Sequence, residues 1–180
     1  ALFAAALFGA IGTGIATGLS HYINSFFWGF STGQLGQISL SVVASAVVAL
    51  VLAPIISKKM GKKRAAIITG LLAFTILPAT IVLRLFNLMP DNGDPVLFPL
   101  ILFITMIDVG LIITYQILST SMIADLVEES ELRTGRRSEG VFFASMTFVK
   151  KFVQGFGVVA AATILTLAEF PVGVAPGSVP

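Results

Sequence analysis

Asp108 and Lys151 are the residues of this sequence best placed to do chemistry, because each lies inside a long apolar run. An ionised side chain in a hydrocarbon core costs roughly 2.5 to 3.5 kcal/mol on insertion scales, so it persists where it has a use. Asp108 stands about fourteen residues, near 20 Å, from the charged end of its run, and Lys151 about eleven residues past Gly140, roughly 17 Å deep. An unpaired carboxylate at that depth is expected to be neutral. Facing the ammonium of Lys151 it would stay charged, and a proton or another cation would compete for it. The two runs are consecutive, hence antiparallel, so the two groups can face one another. The plainer readings are a neutral Asp108 bonded to a neighbouring helix and a lysine that snorkels to the surface.

Polar residues extend both positions into stripes. Thr105, Asp108, Tyr115 and Ser119 recur at helical spacing, with Gln116 at the border. Thr147 and Lys151 are four apart, and Gln154 continues their face. Lys150 points about 100° away from Lys151 and is divided between the same path and snorkelling. Each stripe either lines a water-filled path that binds a solute or packs on a neighbouring helix. Near the start of the chain, His21, Tyr22, Asn24 and Trp28 form a group typical of an interfacial belt. Tyr22 and Asn24 are the two that can instead contact a solute from above.

A third constellation occupies 124–140. Asp125, Glu128 and Glu131 recur every three residues, and Arg133, Arg136 and Arg137 follow around Gly135. This is either a solvated charged face or a cytoplasmic gate whose ion pairs break as two halves rock. Asp125, at the membrane edge, is its leading member. An exposed pair contributes only about 0 to 1 kcal/mol, yet that biases two states separated by a few kcal/mol.

The elements that must hold these residues are membrane helices. The chain of 180 residues is 56% hydrophobic and 11% charged, with mean hydropathy +0.99, far below the roughly 25% charge of a soluble domain. Cysteine is absent and His21 is the single histidine, which excludes disulfides, thiolate metal sites and multi-histidine sites. No nucleophile–base set or phosphate loop points to an enzyme, and no cofactor is expected. The net charge of +2 gives no reason to expect a nucleic-acid partner.

A span needs about 20 apolar residues. Five stretches qualify: about 2–27, 38–56, 65–86, 96–123 and 141–168. All should be helices, because lipid leaves no other way to satisfy the backbone. Lysine and arginine crowd 57–64 and 125–139, while 29–37 is uncharged and 87–95 holds only Asp91 and Asp94. Basic loops therefore alternate, which places 57–64 and 125–139 in the cytoplasm of a multi-pass protein of the cell (inner or plasma) membrane. Gly9, Gly12, Gly14 and Gly18 mark the first span for close packing, a hinge being the alternative. Pro54 and Pro78 are candidate kinks. The apolar start at Ala1, the loop-like 170–180 and the odd number of spans predict a partial bundle.

The stretch Ala53-Pro54-Ile55-Ile56-Ser57-Lys58-Lys59-Met60-Gly61-Lys62-Lys63-Arg64 resembles the short cytoplasmic loop of the major facilitator superfamily. More specifically, 124–140 followed by Phe148-Val149-Lys150-Lys151 resembles helices ten and eleven of the glycoside–pentoside–hexuronide cation symporters, the melibiose permease family. His21-Tyr22-Ile23-Asn24 is similar to the outer end of that family's seventh helix. The resemblance implies that 1–180 is a C-terminal-half bundle, helices seven to eleven, whose partner is a missing N-terminal half carrying the main cation-binding acids. It implies a secondary active symporter of a sugar or related polar solute with Na⁺ or H⁺. Lys151 matches the family's helix-eleven lysine beside the cation and sugar sites, and Thr147 a sugar-facing position. Asp108 is not demanded by the family pattern. Gln116 falls where melibiose-transporting members carry an aromatic residue, which leaves open a lipid-like or sulfonated solute. A non-transporting sensor or assembly subunit is the reading from another class, and the two mid-membrane charges argue against it.

Overall fold

One glycine makes the whole turn between the second and third helices. Gly61 adopts φ +81°, a conformation that side chains other than hydrogen rarely take, and helix resumes at the next residue. The computed structural model describes residues 2–135 and 139–170, with the side chains of all but 2–10, 134, 139 and 142 among them. The described residues form α1 (Leu2–Tyr22), a π-helical turn (Ile23–Phe27), α2 (Thr32–Met60), α3 (Lys62–Leu85), α4 (Leu97–Thr134) and α5 (Glu139–Leu167). Thr32–Met60, Lys62–Leu85, Leu97–Arg133 and Phe143–Leu167 are long and apolar enough to cross a membrane.

The helix ends depart from the expected spans for local reasons. α2 begins six residues before 38, because Ser31 and Gln34 close a capping box. The Gln34 side chain accepts from the Ser31 N–H at 2.8 Å, and the Ser31 hydroxyl accepts from the Gln34 N–H at 3.4 Å. Composition alone had made 29–37 a loop. The basic residues of 57–64 are likewise all helical, Gly61 alone interrupting the segment, and Lys58 and Lys59 occupy the last turn of α2, where a helix dipole favours cations. α4 continues past 123 through the acidic segment, until Gly135 ends it in a left-handed conformation with its N–H on the Glu131 carbonyl.

The chain divides into two units, Ala1–Phe30 with Ser138–Pro180, and Ser31–Arg137. In the second, α4 packs against both α2 and α3. The faces they bury are built from small residues: Ser41, Ser45, Ala49 and Ala53 on α2, and Ala65, Ala66, Thr69, Gly70 and Ala73 on α3. Large aliphatics point the other way; Leu40 is 73% exposed while Ala49 is 0% exposed. This inverts a soluble core. Lipid is as apolar as leucine, so helices associate where small side chains let backbones approach. Ser45, Thr69, Thr80 and Thr114 each donate to a carbonyl one turn earlier, which lets a hydroxyl be buried.

In the first unit, α1 packs on α5. Gly14 and Gly18 meet Gly157 and Ala161, a small residue every fourth position on both helices. A Cβ on Gly157 would stand 2.6 Å from the Gly14 Cα, and one on Gly18 2.7 Å from the Ala161 Cβ. Gly14 and Gly18 therefore serve packing in this arrangement.

Candidate functional site

Asp108 lies in the middle of α4 and is 1% exposed. Its Oδ1 has no hydrogen-bond partner among the described residues, and neither does the hydroxyl of Ser119, further along the same buried face. Most polar groups buried in proteins are satisfied, so two unpartnered groups on one helix face mark it. The level of Asp108 is set by contact with α2, where the Ser45 hydroxyl donates to the Met106 carbonyl at 3.0 Å. Thr105 is half-buried and Gln116 is exposed. Tyr115 faces α3. A Cβ on Gly70 would be 3.1 Å from its ring, and Tyr115 packs with Ile56 and Met122 around Ala65, Ala66 and Leu118. Its place in the structure is a helix contact.

On α5, Thr147, Lys151 and Gln154 are exposed and Lys150 is half-buried. Lys151 is about 18 Å along the helix from Glu139 and about 24 Å from Leu167, which keeps it remote from both ends. The helix has three distinct faces. Met146, Val153, Gly157 and Ala161 are buried. Phe148, Phe152 and Phe156 form an exposed ridge, the first pair stacked at 5.9 Å between centroids and the second tilted at 5.2 Å. Between these, Lys151 shares its face with Thr147, Gln154, Ala144 and Gly155, which are polar or small, and two turns on with exposed Val158. The aromatic ridge is suited to lipid and the Lys151 face to water or solute. Lys151 belongs to the first unit and Asp108 to the second.

At the end of α1, the π-helical turn re-aims the side chains. Tyr22 stacks on Phe26, and Phe170 closes edge-on against both, at 5.5 and 4.9 Å. Asn24 is half-buried, and its carbonyl accepts from the Phe30 N–H. Trp28 is buried against Phe27 and Phe30 rather than standing out as a belt residue.

At the charged end, Lys62 Nζ lies 2.7 Å from both carboxylate oxygens of Asp125. The expected partners of Asp125 were arginines of its own segment. Instead the partner is the first residue of α3, because that helix runs antiparallel to α4 and brings its basic start to the acidic end. Arg133 pairs with Glu129 one turn earlier at 2.6 Å. Glu128 is exposed and Glu131 half-buried; Arg136 and Arg137 lie outside the described residues. Lys62 was missed as a site residue, although its place in a basic cluster one glycine from α2 was a signal.

At the other end of α3, the Arg84 guanidinium donates to the Met89 and Pro90 carbonyls, Asp91 Oδ1 and Asn92 Oδ1, gathering the connection to α4. Among the described residues no group of three or more His, Cys, Asp or Glu is placed to hold a metal.

These features, helices that bury small residues and expose large ones, with two mid-helix ionisable residues and an ion pair at the charged end, suit a helix bundle embedded in lipid. No curated protein and no solved structure matches the chain. A family model described as MFS/sugar transport protein matches residues 1–180. The chain is thus a multi-pass membrane protein of the MFS/sugar transport family.

Proposed function

We propose that this chain forms the C-terminal helix bundle of a cation symporter resembling the glycoside–pentoside–hexuronide group, moving a sugar or related polar solute with Na⁺ or H⁺ by alternating access. The observation that carries the reading is the Lys151 face of α5. A lysine remote from both helix ends, flanked by Thr147 and Gln154 and set apart from the Phe148–Phe152–Phe156 ridge, suits a solute path better than lipid. Lys151 and Asp108 take the coupling roles. Thr147, Gln116 and Lys150 contact solute, with Tyr22 and Asn24 near the outer mouth. The Lys62–Asp125 pair forms the cytoplasmic gate together with Glu128, Glu131, Arg136 and Arg137 of the charged segment.

The exposed Gln116 supports a second reading in the same family. An amide hydrogen-bonds but does not stack on a sugar ring as an aromatic does, so a sulfonated or lipid-like solute also fits. The test is uptake by the full-length transporter in liposomes under imposed Na⁺ or H⁺ gradients, with sugars and sulfonated solutes compared. Gradient-driven sugar accumulation lost in Lys151→Ala supports the proposal. Accumulation unchanged in Lys151→Ala removes the coupling role.

A further inference from the structure

We propose that the ion handled at Asp108 is a proton, held on its carboxyl while the α2–α3–α4 unit is closed around it and released when water reaches Oδ1. The inference rests on the symport reading above and names the ion for this residue.

The argument is one of missing partners. Asp108 is 1% exposed and its Oδ1 has no hydrogen-bond partner among the described residues. A buried carboxylate without donors is heavily penalised when charged, whereas the neutral acid is tolerated. Neither helix packed on α4 offers a compensating charge. α2 has no titratable residue before Lys58, and α3 has none between Arg64 and Arg84. On α4 itself the nearest titratable groups are Tyr115, which packs on Gly70, and Asp125, which pairs with Lys62.

Neighbouring hydroxyls do not fill the gap. Ser45 donates to the Ser41 and Met106 carbonyls, and Thr114 to the Gly110 carbonyl. Ser45 meets α4 at Met106, two residues from Asp108 and so about 200° around the helix. A hard metal cation requires several converging oxygens; a proton requires one. The step balances simply. The acid gives H⁺ to a water molecule on one side, leaving carboxylate and hydronium, and the carboxylate regains H⁺ from the other side with no redox change.

Infrared difference spectroscopy on the full-length transporter in liposomes tests this, comparing wild type with Asp108→Asn. The expected result is a carboxylic-acid carbonyl band at neutral pH that is missing in Asp108→Asn, together with loss of solute-induced alkalinisation of the medium. The melting profile should stay near wild type, since the amide mimics the neutral acid. Absence of that band from the wild type, or solute-induced proton uptake persisting in Asp108→Asn, overturns the proposal. If wild type transports none of the solutes offered, the symport reading fails, and the spectrum alone still decides whether Asp108 holds a proton.

Discussion

Lys62 and Asp125 show how one residue pair can matter for switching more than for stability. Their side chains are 39% and 56% exposed, so solvent screens the attraction and the pair contributes about 0 to 1 kcal/mol. Asp125→Asn should therefore leave the melting temperature almost unchanged while altering transport rate. The charge swap Lys62→Asp with Asp125→Lys should restore it, as read by initial uptake rates. A swap no better than either single variant would dismiss the gate. Arg84 behaves differently, because its side chain is only 17% exposed and one planar fork serves four acceptors. Arg84→Lys cannot span them. It should cost about 1 to 3 kcal/mol and raise hydrogen exchange across 87–96, measurable by mass spectrometry. Unchanged exchange there would show that the connection holds itself.

At the scale of elements, the α1–α5 crossing is the tightest contact described. Gly157→Ala would drive a methyl group to 2.6 Å from the Gly14 backbone, which cannot turn aside. Overpacking of this kind costs about 1 to 3 kcal/mol. Gly70→Ala meets only the edge of the Tyr115 ring at 3.1 Å, so a small ring shift should absorb most of it. Gly155→Ala meets nothing within 4 Å and should be neutral or stabilising by up to about 1 kcal/mol through helix propensity. Thermal unfolding in detergent should rank the variants Gly155→Ala, Gly70→Ala, Gly157→Ala from most to least stable. A Gly157→Ala protein as stable as wild type would mean that the helices separate at no cost.

For the whole molecule, the main consequence is sidedness. α3 spans about 36 Å along its axis, comparable to a bilayer core with its margins. Its basic start and its Arg84 end should face opposite compartments. Cysteines placed at the exposed positions Lys63 and Asp91 should react with an impermeant reagent from opposite sides, Lys63→Cys from the cytoplasm. Labelling of both from one side would contradict the membrane orientation.

The sequence by itself determined the helices and most of their limits. Backbone hydrogen bonding in lipid is a local requirement, and an apolar run of sufficient length satisfies it in only one way. Even the β-branched stretch around Val42–Val43 and Val47–Val48 is therefore helical. The small residues of α1 and the mid-span positions of Asp108 and Lys151 were legible for the same reason. The ends of α2 and α4 were less so, because a capping box and a left-handed glycine outweighed composition. Pairings between elements were decided only by tertiary structure. Lys62 precedes Asp125 by 63 positions, and Gly157 meets Gly14 from the far end of the chain. Helical spacing groups Tyr115 with Asp108, yet only the packing of α3 turns Tyr115 into a contact with Gly70 while leaving Asp108 buried without a partner. Periodicity states which side chains share a face; what that face meets depends on distances that no local pattern contains.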